Sequence, residues 1–216
     1  MCKTIKNDER FCLICNKPLK KENPLSQLIE ESLICENCLN QLNKIGKVYQ
    51  FQQDWIVLYE YNEFLERLLF RYKEQRDREL KSIFLNEYKD KIKELSQKYC
   101  FCVMCSSDQR RLIRGFEPII DMFSSLDIEV YSPLFKTKDI KQSSQKRNQR
   151  SQIQNVIQKK ELYSLPNKPI VLVDDVLTTG NTIKRGIELL KPEKILVICA
   201  NPIWIQANNM AKQKRF

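Results

Sequence analysis

The sequence predicts an α/β fold: a mostly parallel sheet flanked by helices, preceded by a small N-terminal module built on four cysteines. Three observations carry this expectation. Apolar runs rich in β-branched residues, such as Ile170–Val173 and Ile195–Ile198, read as strands buried on both faces. Segments with helical spacing separate the strands, and such alternation favours parallel strands joined by right-handed crossovers. Two C-x2-C pairs stand apart near the N-terminus. The division expected is a cysteine module over residues 1–50 and an α/β body over residues 51–216.

Composition narrows the chemistry. The 216 residues are 42% hydrophobic and 30% charged, as in a soluble globular protein. No apolar run approaches the ~18 residues that indicate a membrane span. The first residues lack the apolar core of a signal peptide, so a cytoplasmic location is expected. Nine cysteines without a secretion signal point to metal or free thiols rather than a disulfide framework. Histidine is absent, which removes His-based triads, His general bases and His metal ligands. The four glycines, Gly46, Gly115, Gly180 and Gly186, cannot form a Walker A loop or a G-x-G-x-x-G turn. A net charge of +10 fits polyanionic partners, and equally a generally basic surface.

In the N-terminal module, Cys12-x2-Cys15 and Cys35-x2-Cys38 are nineteen residues apart, a spacing that suits one tetrahedral zinc ion. Four protein thiolates close the coordination shell, so such a zinc is structural. A segment this short has a small core of its own, and metal binding supplies ~10–16 kcal/mol in comparable modules. The competing reading is a redox dithiol, for which one C-x-x-C suffices. Lys17, Lys20, Lys21, Lys44 and Lys47 alternate with Glu22, Glu30, Glu31 and Glu36. That mixture leaves brace, protein-docking surface and nucleic-acid reader all open.

The body opens with a strand over Trp55–Tyr61. Asn62 caps a helix whose inner face is Phe64, Leu65, Leu68, Leu69 and Tyr72. After a charged break, a second helix turns Leu80, Ile83, Phe84 and Tyr88 inward. Tyr99–Cys105 reads as a strand in which Cys100, Cys102 and Cys105 act as small hydrophobes rather than metal ligands. Ser106, Ser107, Arg110, Arg111 and Arg114 follow, a turn and a basic segment able to hold a diphosphate. Pro118 starts a helix with Ile119, Ile120, Met122 and Phe123, and Ile128–Tyr131 is a brief strand. Residues 132–150 carry six Lys/Arg and one Asp without apolar periodicity. They fit a mobile lid, with Lys138, Lys141 and Arg147 as candidate catalytic residues, or a plain exposed loop. Residues 151–160 are expected to form a short helix. Lys194–Ala200 is the last buried strand, and the basic tail is expected to fray.

The stretch Ile170–Thr182 organises the body. A strand ends in two carboxylates, Asp174 and Asp175, then a Thr-rich turn with Gly180, then a helix with Ile183, Ile187 and Leu190 on one side. Ligands in open parallel sheets bind beyond the strands' carboxyl ends, and helix N-termini offer free N–H groups to phosphate. The acids repel phosphate and suit ribose hydroxyls or an associated Mg²⁺.

These thirteen residues resemble the phosphoribosyl-diphosphate (PRPP) signature of type I phosphoribosyltransferases. Taken with the cysteine pairs and Arg114-Gly-Phe116, they resemble the ComF family of competence-associated, phosphoribosyltransferase-like proteins. Arg71-Tyr-Lys73 with its downstream Arg/Asp cluster, Lys141-Gln142 and Arg147-Asn148 add to the match. The resemblance implies a type I phosphoribosyltransferase-like body and PRPP binding by Asp174, Asp175, Val176, Leu177, Thr178, Thr179, Gly180, Asn181 and Thr182. Mg²⁺ would accompany PRPP. The resemblance also implies a role in DNA uptake during natural transformation, with single-stranded DNA and other competence proteins as further partners. The chain departs from the family at Cys102-Val-Met-Cys-Ser-Ser107 and at Glu117, where the diphosphate turn is expected. Transfer of phosphoribose to a nucleobase-like acceptor is one reading. The other is a non-catalytic factor that senses PRPP or nucleotides, or binds single-stranded DNA with Phe70, Tyr72 and Phe116 as stacking residues.

Overall fold

The computed structural model describes residues 10–19, 32–137 and 157–216. Lys138, Lys141 and Arg147 lie outside the described residues, as do Gln142, Asn148 and residues 151–156. The elements, in chain order, are α1 (Glu36–Gln41), β1 (Lys44–Gln50), β2 (Asp54–Glu60), α2 (Glu63–Lys73), a 3₁₀ turn (Arg78–Ser82), α3 (Ile83–Asn86) and α4 (Lys89–Lys98). Next come β3 (Cys100–Val103), α5 (Asp108–Arg114), α6 (Pro118–Ser124), β4 (Val130–Tyr131), β5 (Leu134–Lys136) and β6 (Ile157–Lys159). The chain closes with β7 (Ile170–Leu177), α7 (Asn181–Leu190), β8 (Lys194–Ala200), α8 (Pro202–Ala207) and β9 (Gln213–Arg215).

Seven strands form one sheet in the order β4-β3-β7-β8-β2-β1-β9. The pairs from β4 through β2 are parallel, while β1 runs antiparallel to both β2 and β9. Successive strand residues face opposite sides, so Val171 and Val173 join one apolar cluster and Leu172 the other. The first cluster receives Leu65, Leu68 and Tyr72 of α2 and Ile119, Met122 and Phe123 of α6. The second receives Ile183 and Leu190 of α7, with Leu134 and Ile157 from the β5–β6 pair. Helices therefore cover both faces, which explains the continuous apolar strands. Among the described residues, no helix is long and apolar enough to cross a membrane.

Asn62 caps α2 as expected, its side chain accepting from Leu65 N–H at 2.8 Å. Other expectations need correction. The second helix of the body is broken into the 3₁₀ turn, α3 and α4, although Leu80, Ile83, Phe84 and Tyr88 are all buried. Residues 157–159 are a strand, not the end of a helix, because Ile157 buries its side chain while pairing with Lys136. The tail does not fray: β9 pairs with β1, and the Phe216 ring packs on Tyr88 with centroids 6.0 Å apart. β1, within the segment expected to form the cysteine module, is a full member of the main sheet. Tyr72 is fully buried and offers no face to a base; Phe116 is half-buried with the Tyr72 ring centre 5.3 Å away, and Phe70 is exposed.

Candidate functional site

The strand order creates a switch point. From β3 the chain moves outward to β4, whereas from β7 it moves the other way to β8. Loops leaving neighbouring strands in opposite directions open a crevice at their carboxyl ends, the usual ligand position in such sheets. Both candidate segments, the turn after β3 and the signature after β7, meet there.

On the β7 side, the strand runs through both acids, longer than the sequence implies, and ends at Leu177. Asp174 and Asp175 are half-buried, and the Asp175 N–H donates to Asp174 Oδ1 at 3.0 Å. Burial, then the adjacent Asp175 charge, push the Asp174 carboxyl up to about 7, against the lowering effects of the Asp175 N–H, Lys73 and Lys136. Asp175 forms an ion pair with Lys73 of α2, Nζ to Oδ2 2.5 Å. Val176 and Leu177 turn their side chains into the core, leaving only backbone for a ligand. Thr178 and Thr179 are exposed, and Gly180 takes φ 73°, a left-handed conformation natural to glycine. Gly180 precedes α7 with no side-chain cap, and the first intrahelical bond runs from Lys184 N–H to Gly180 O at 2.9 Å. The N–H groups of Asn181, Thr182 and Ile183 precede that bond and carry the positive end of the helix dipole.

On the β3 side lies a cavity of about 320 Å³ whose walls include Cys105, Ser106, Asp108, Arg111, Glu117 and Lys160. The Cys105 thiol feels Lys136, Glu117 and Asp174, so this wall adjoins the acidic pair; burial pushes the thiol up. Ser106 Oγ donates to Glu117 Oε1 at 2.6 Å. Burial raises the Glu117 carboxyl, against the lowering effects of Ser106 and Arg111. Of the five diphosphate candidates, Ser106 and Arg111 line the cavity. Ser107 instead caps α5, accepting from Arg110 N–H at 3.4 Å, and Arg110 is exposed outside the cavity walls. Arg114 is nearly buried and pairs with Glu74, its Nε without a hydrogen-bond partner among the described residues.

Residues 116–215 match the model of the phosphoribosyl transferase domain. The chain is 26% identical over 206 residues to competence protein ComFC of Streptococcus pneumoniae (strain ATCC BAA-255 / R6), covering 83% of this chain and 93% of that protein. Both matches bear out the resemblance to ComF-family proteins and to the phosphoribosyltransferase fold. A solved hypoxanthine phosphoribosyltransferase from Staphylococcus aureus aligns at 19% identity and a TM-score of 0.32, over 57% of this chain and 66% of that one. That likeness is too slight to bear on activity.

The second candidate centre is the cysteine cluster. The Sγ atoms of Cys12, Cys15, Cys35 and Cys38 all lie within 4.8 Å of one another, and Cys15 and Cys35 are 3.6 Å apart. Tetrahedral Zn–S bonds of ~2.3 Å place sulfurs about 3.8 Å apart, so the cluster fits zinc. Two local structures deliver the ligands. Cys12–Asn16 is a tight turn, closed by Asn16 N–H to Cys12 O at 2.8 Å with Asn16 at φ 56°. Cys35 precedes α1, which carries Cys38 in its first turn. Burial pushes the Cys12 thiol up, but N–H groups of Cys15, Cys35 and Ile14 and the Cys15 side chain outweigh it and bring Cys12 to about 6. Burial and the three neighbouring sulfurs raise Cys38. By contrast, Cys100 and Cys102 are buried in the sheet, as small hydrophobes should be.

Sequence reasoning missed Lys160 as a member of the site, and it noted Lys73 and Glu117 only through the family resemblance, without a role for either. Arg71-Tyr-Lys73 was visible as part of the family match and of a charged stretch, but the partner of Lys73 was not. That partner, Asp175, lies 102 residues away, beyond the reach of any local pattern.

Proposed function

We propose that this protein binds PRPP, with Mg²⁺, in the crevice between β3 and β7. The observation that carries this reading is the run of two carboxylates directly followed by an uncapped helix N-terminus at a sheet switch point. Asp174 and Asp175 would accept from the ribose hydroxyls. The N–H groups from Gly180 to Ile183, with Thr178, Thr179 and Thr182, would hold the 5′-phosphate. Ser106, Arg111 and Lys160 would face the diphosphate. Mg²⁺ takes hard oxygen ligands, which suits this carboxylate-lined crevice, and when bound with PRPP would neutralise diphosphate charge.

In the transferase reading, the C1–diphosphate bond breaks while a nitrogen of a nucleobase-like acceptor forms the new bond to C1, the diphosphate leaving with the electron pair. Positioning and charge stabilisation are what this chain can contribute. The expected setting is DNA uptake, with the cysteine module of residues 1–50 bracing the body of residues 51–216 and β1 joining the two. A second reading, a PRPP or nucleotide sensor, is favoured by Glu117 and Asp108 in the cavity, since two acids weaken a diphosphate subsite.

Calorimetry with Mg–PRPP tests the shared claim. Binding is expected in the parent and lost in the double variant Asp174→Asn/Asp175→Asn; unchanged binding would falsify the site. Diphosphate release in a nucleobase screen then separates transferase from sensor.

A further inference from the structure

The charged stretch at the end of α2 has a more specific role than a solvated connection. Arg71 Nη1 donates to Ile14 O, inside the first cysteine knuckle, at 2.8 Å, and Nη2 pairs with Asp77 at 2.7 Å. Glu74 pairs with Arg114, and Arg76 Nη2 donates to Ile113 O at 2.6 Å. The last turn of α2 is thereby fastened to the cysteine module on one side and to α5 on the other. Lys73 sits between these fastenings and reaches across to Asp175, with only 15% of the lysine side chain and 24% of the aspartate exposed. A cation held on both sides in this way arrives pre-oriented.

The crevice has an electrostatic difficulty that Lys73 answers. Adjacent carboxylates in a partly desolvated site disfavour each other's ionisation. Ionised, each carboxylate is acceptor-only and offers both oxygens to ribose hydroxyls. Around the pair stand Tyr61 after β2, Cys105 after β3, Glu117 before α6, Lys136 in β5, Cys199 in β8 and Lys73. Of these, only Lys73 and Lys136 carry positive charge, and Lys73 makes the direct contact.

Resting on the phosphoribose reading, we propose that Lys73 is a positioning residue: its ion pair orients the Asp175 carboxylate as a hydroxyl acceptor, and its positive charge bears on the neighbouring Asp174 as well. No covalent step involves Lys73.

The test compares the full-length parent with Lys73→Met and Lys73→Arg. Carboxyl ¹³C NMR of aspartate-labelled protein, without ligand, follows Asp174 through a pH titration. Lys73→Met is expected to move the Asp174 midpoint upward by about one pH unit. Lys73→Arg is expected to restore the parent profile. If the Met variant does not fold, Lys73→Gln, which keeps an N–H donor without the charge, takes its place. Calorimetry with Mg–PRPP at pH 6.5 and 8.5 supplies the second readout. The neutral variant is expected to bind about ten-fold more weakly at the lower pH, the deficit shrinking at the higher. A neutral variant with lowered stability but unchanged carboxyl titration would make Lys73 a structural staple and overturn the proposal. A parent that binds no PRPP overturns the function reading instead, while the titration still decides the role of Lys73.

Discussion

At the scale of single residues, Asp174 shows function opposing stability. Its carboxyl is pushed from 3.8 up to about 7, chiefly by burial and next by Asp175. Between those values the folded protein retains a proton that the unfolded chain has lost. Stability therefore falls as pH rises through this window, and the penalty is complete above it. Asp174→Asn removes the titration. In urea melts the variant and parent are expected to agree near pH 3.5, below the window, with the variant more stable at pH 8 by ~1–3 kcal/mol, allowing for relaxation around the site. A stability difference independent of pH would contradict the buried charge. The sequence announced this residue plainly, because two acids ending an apolar strand are unusual. Lys73 was noted only within a family match, and its role was not announced. A lysine in a charged segment has the same local appearance whether it faces water or a carboxylate from a distant strand.

Secondary-structure elements depend on a few polar anchors as well as on apolar stripes. The α2 stripe was legible from Leu65, Leu68 and Tyr72, all of which are buried. Its docking on α6 was not legible, since it turns on one hydroxyl. Tyr72 Oη lies 2.9 Å from Pro118 O and 3.0 Å from Asp121 Oδ2, and Arg78 pairs with the same carboxylate. Asp121 is only 6% exposed, so an unmet acceptor there is costly. Tyr72→Phe is expected to destabilise by ~1–2 kcal/mol with the denaturant slope unchanged, and Mg–PRPP affinity in the folded variant should stay near that of the parent. The short strand 157–159 was misread as helix because periodicity separates helix from strand only over longer windows.

For the whole molecule, the cysteine module and the sheet meet through β1 and through the Arg71–Ile14 hydrogen bond. Metal should therefore influence the stability of the entire chain. Metal analysis of reduced protein is expected to give one zinc per chain. Removing it with a chelator, or substituting Cys35→Ser, should lower Tm by roughly 5–10 °C. Much of the far-UV signal should persist at moderate temperature, since the two large clusters draw mainly on the α/β body. A chelator-insensitive Tm with no bound ion would dismiss the structural zinc.

By itself, the sequence determined the fold class, the cysteine centre and the acidic strand end. Each rests on residues close in the chain, or on one repeated spacing: buried β-branched runs, C-x2-C pairs, and two acids before a Thr-Thr-Gly turn. Tertiary structure alone decided which strands are neighbours, and hence that the turns after β3 and β7 share one crevice. It also turned Ser107 into a helix cap, gave Arg114 to Glu74, and set Lys73 against Asp175. The physical reason is range. Backbone preference and hydrophobic periodicity act over a few residues, whereas a charge finds its partner only after the chain has brought distant segments within hydrogen-bonding distance.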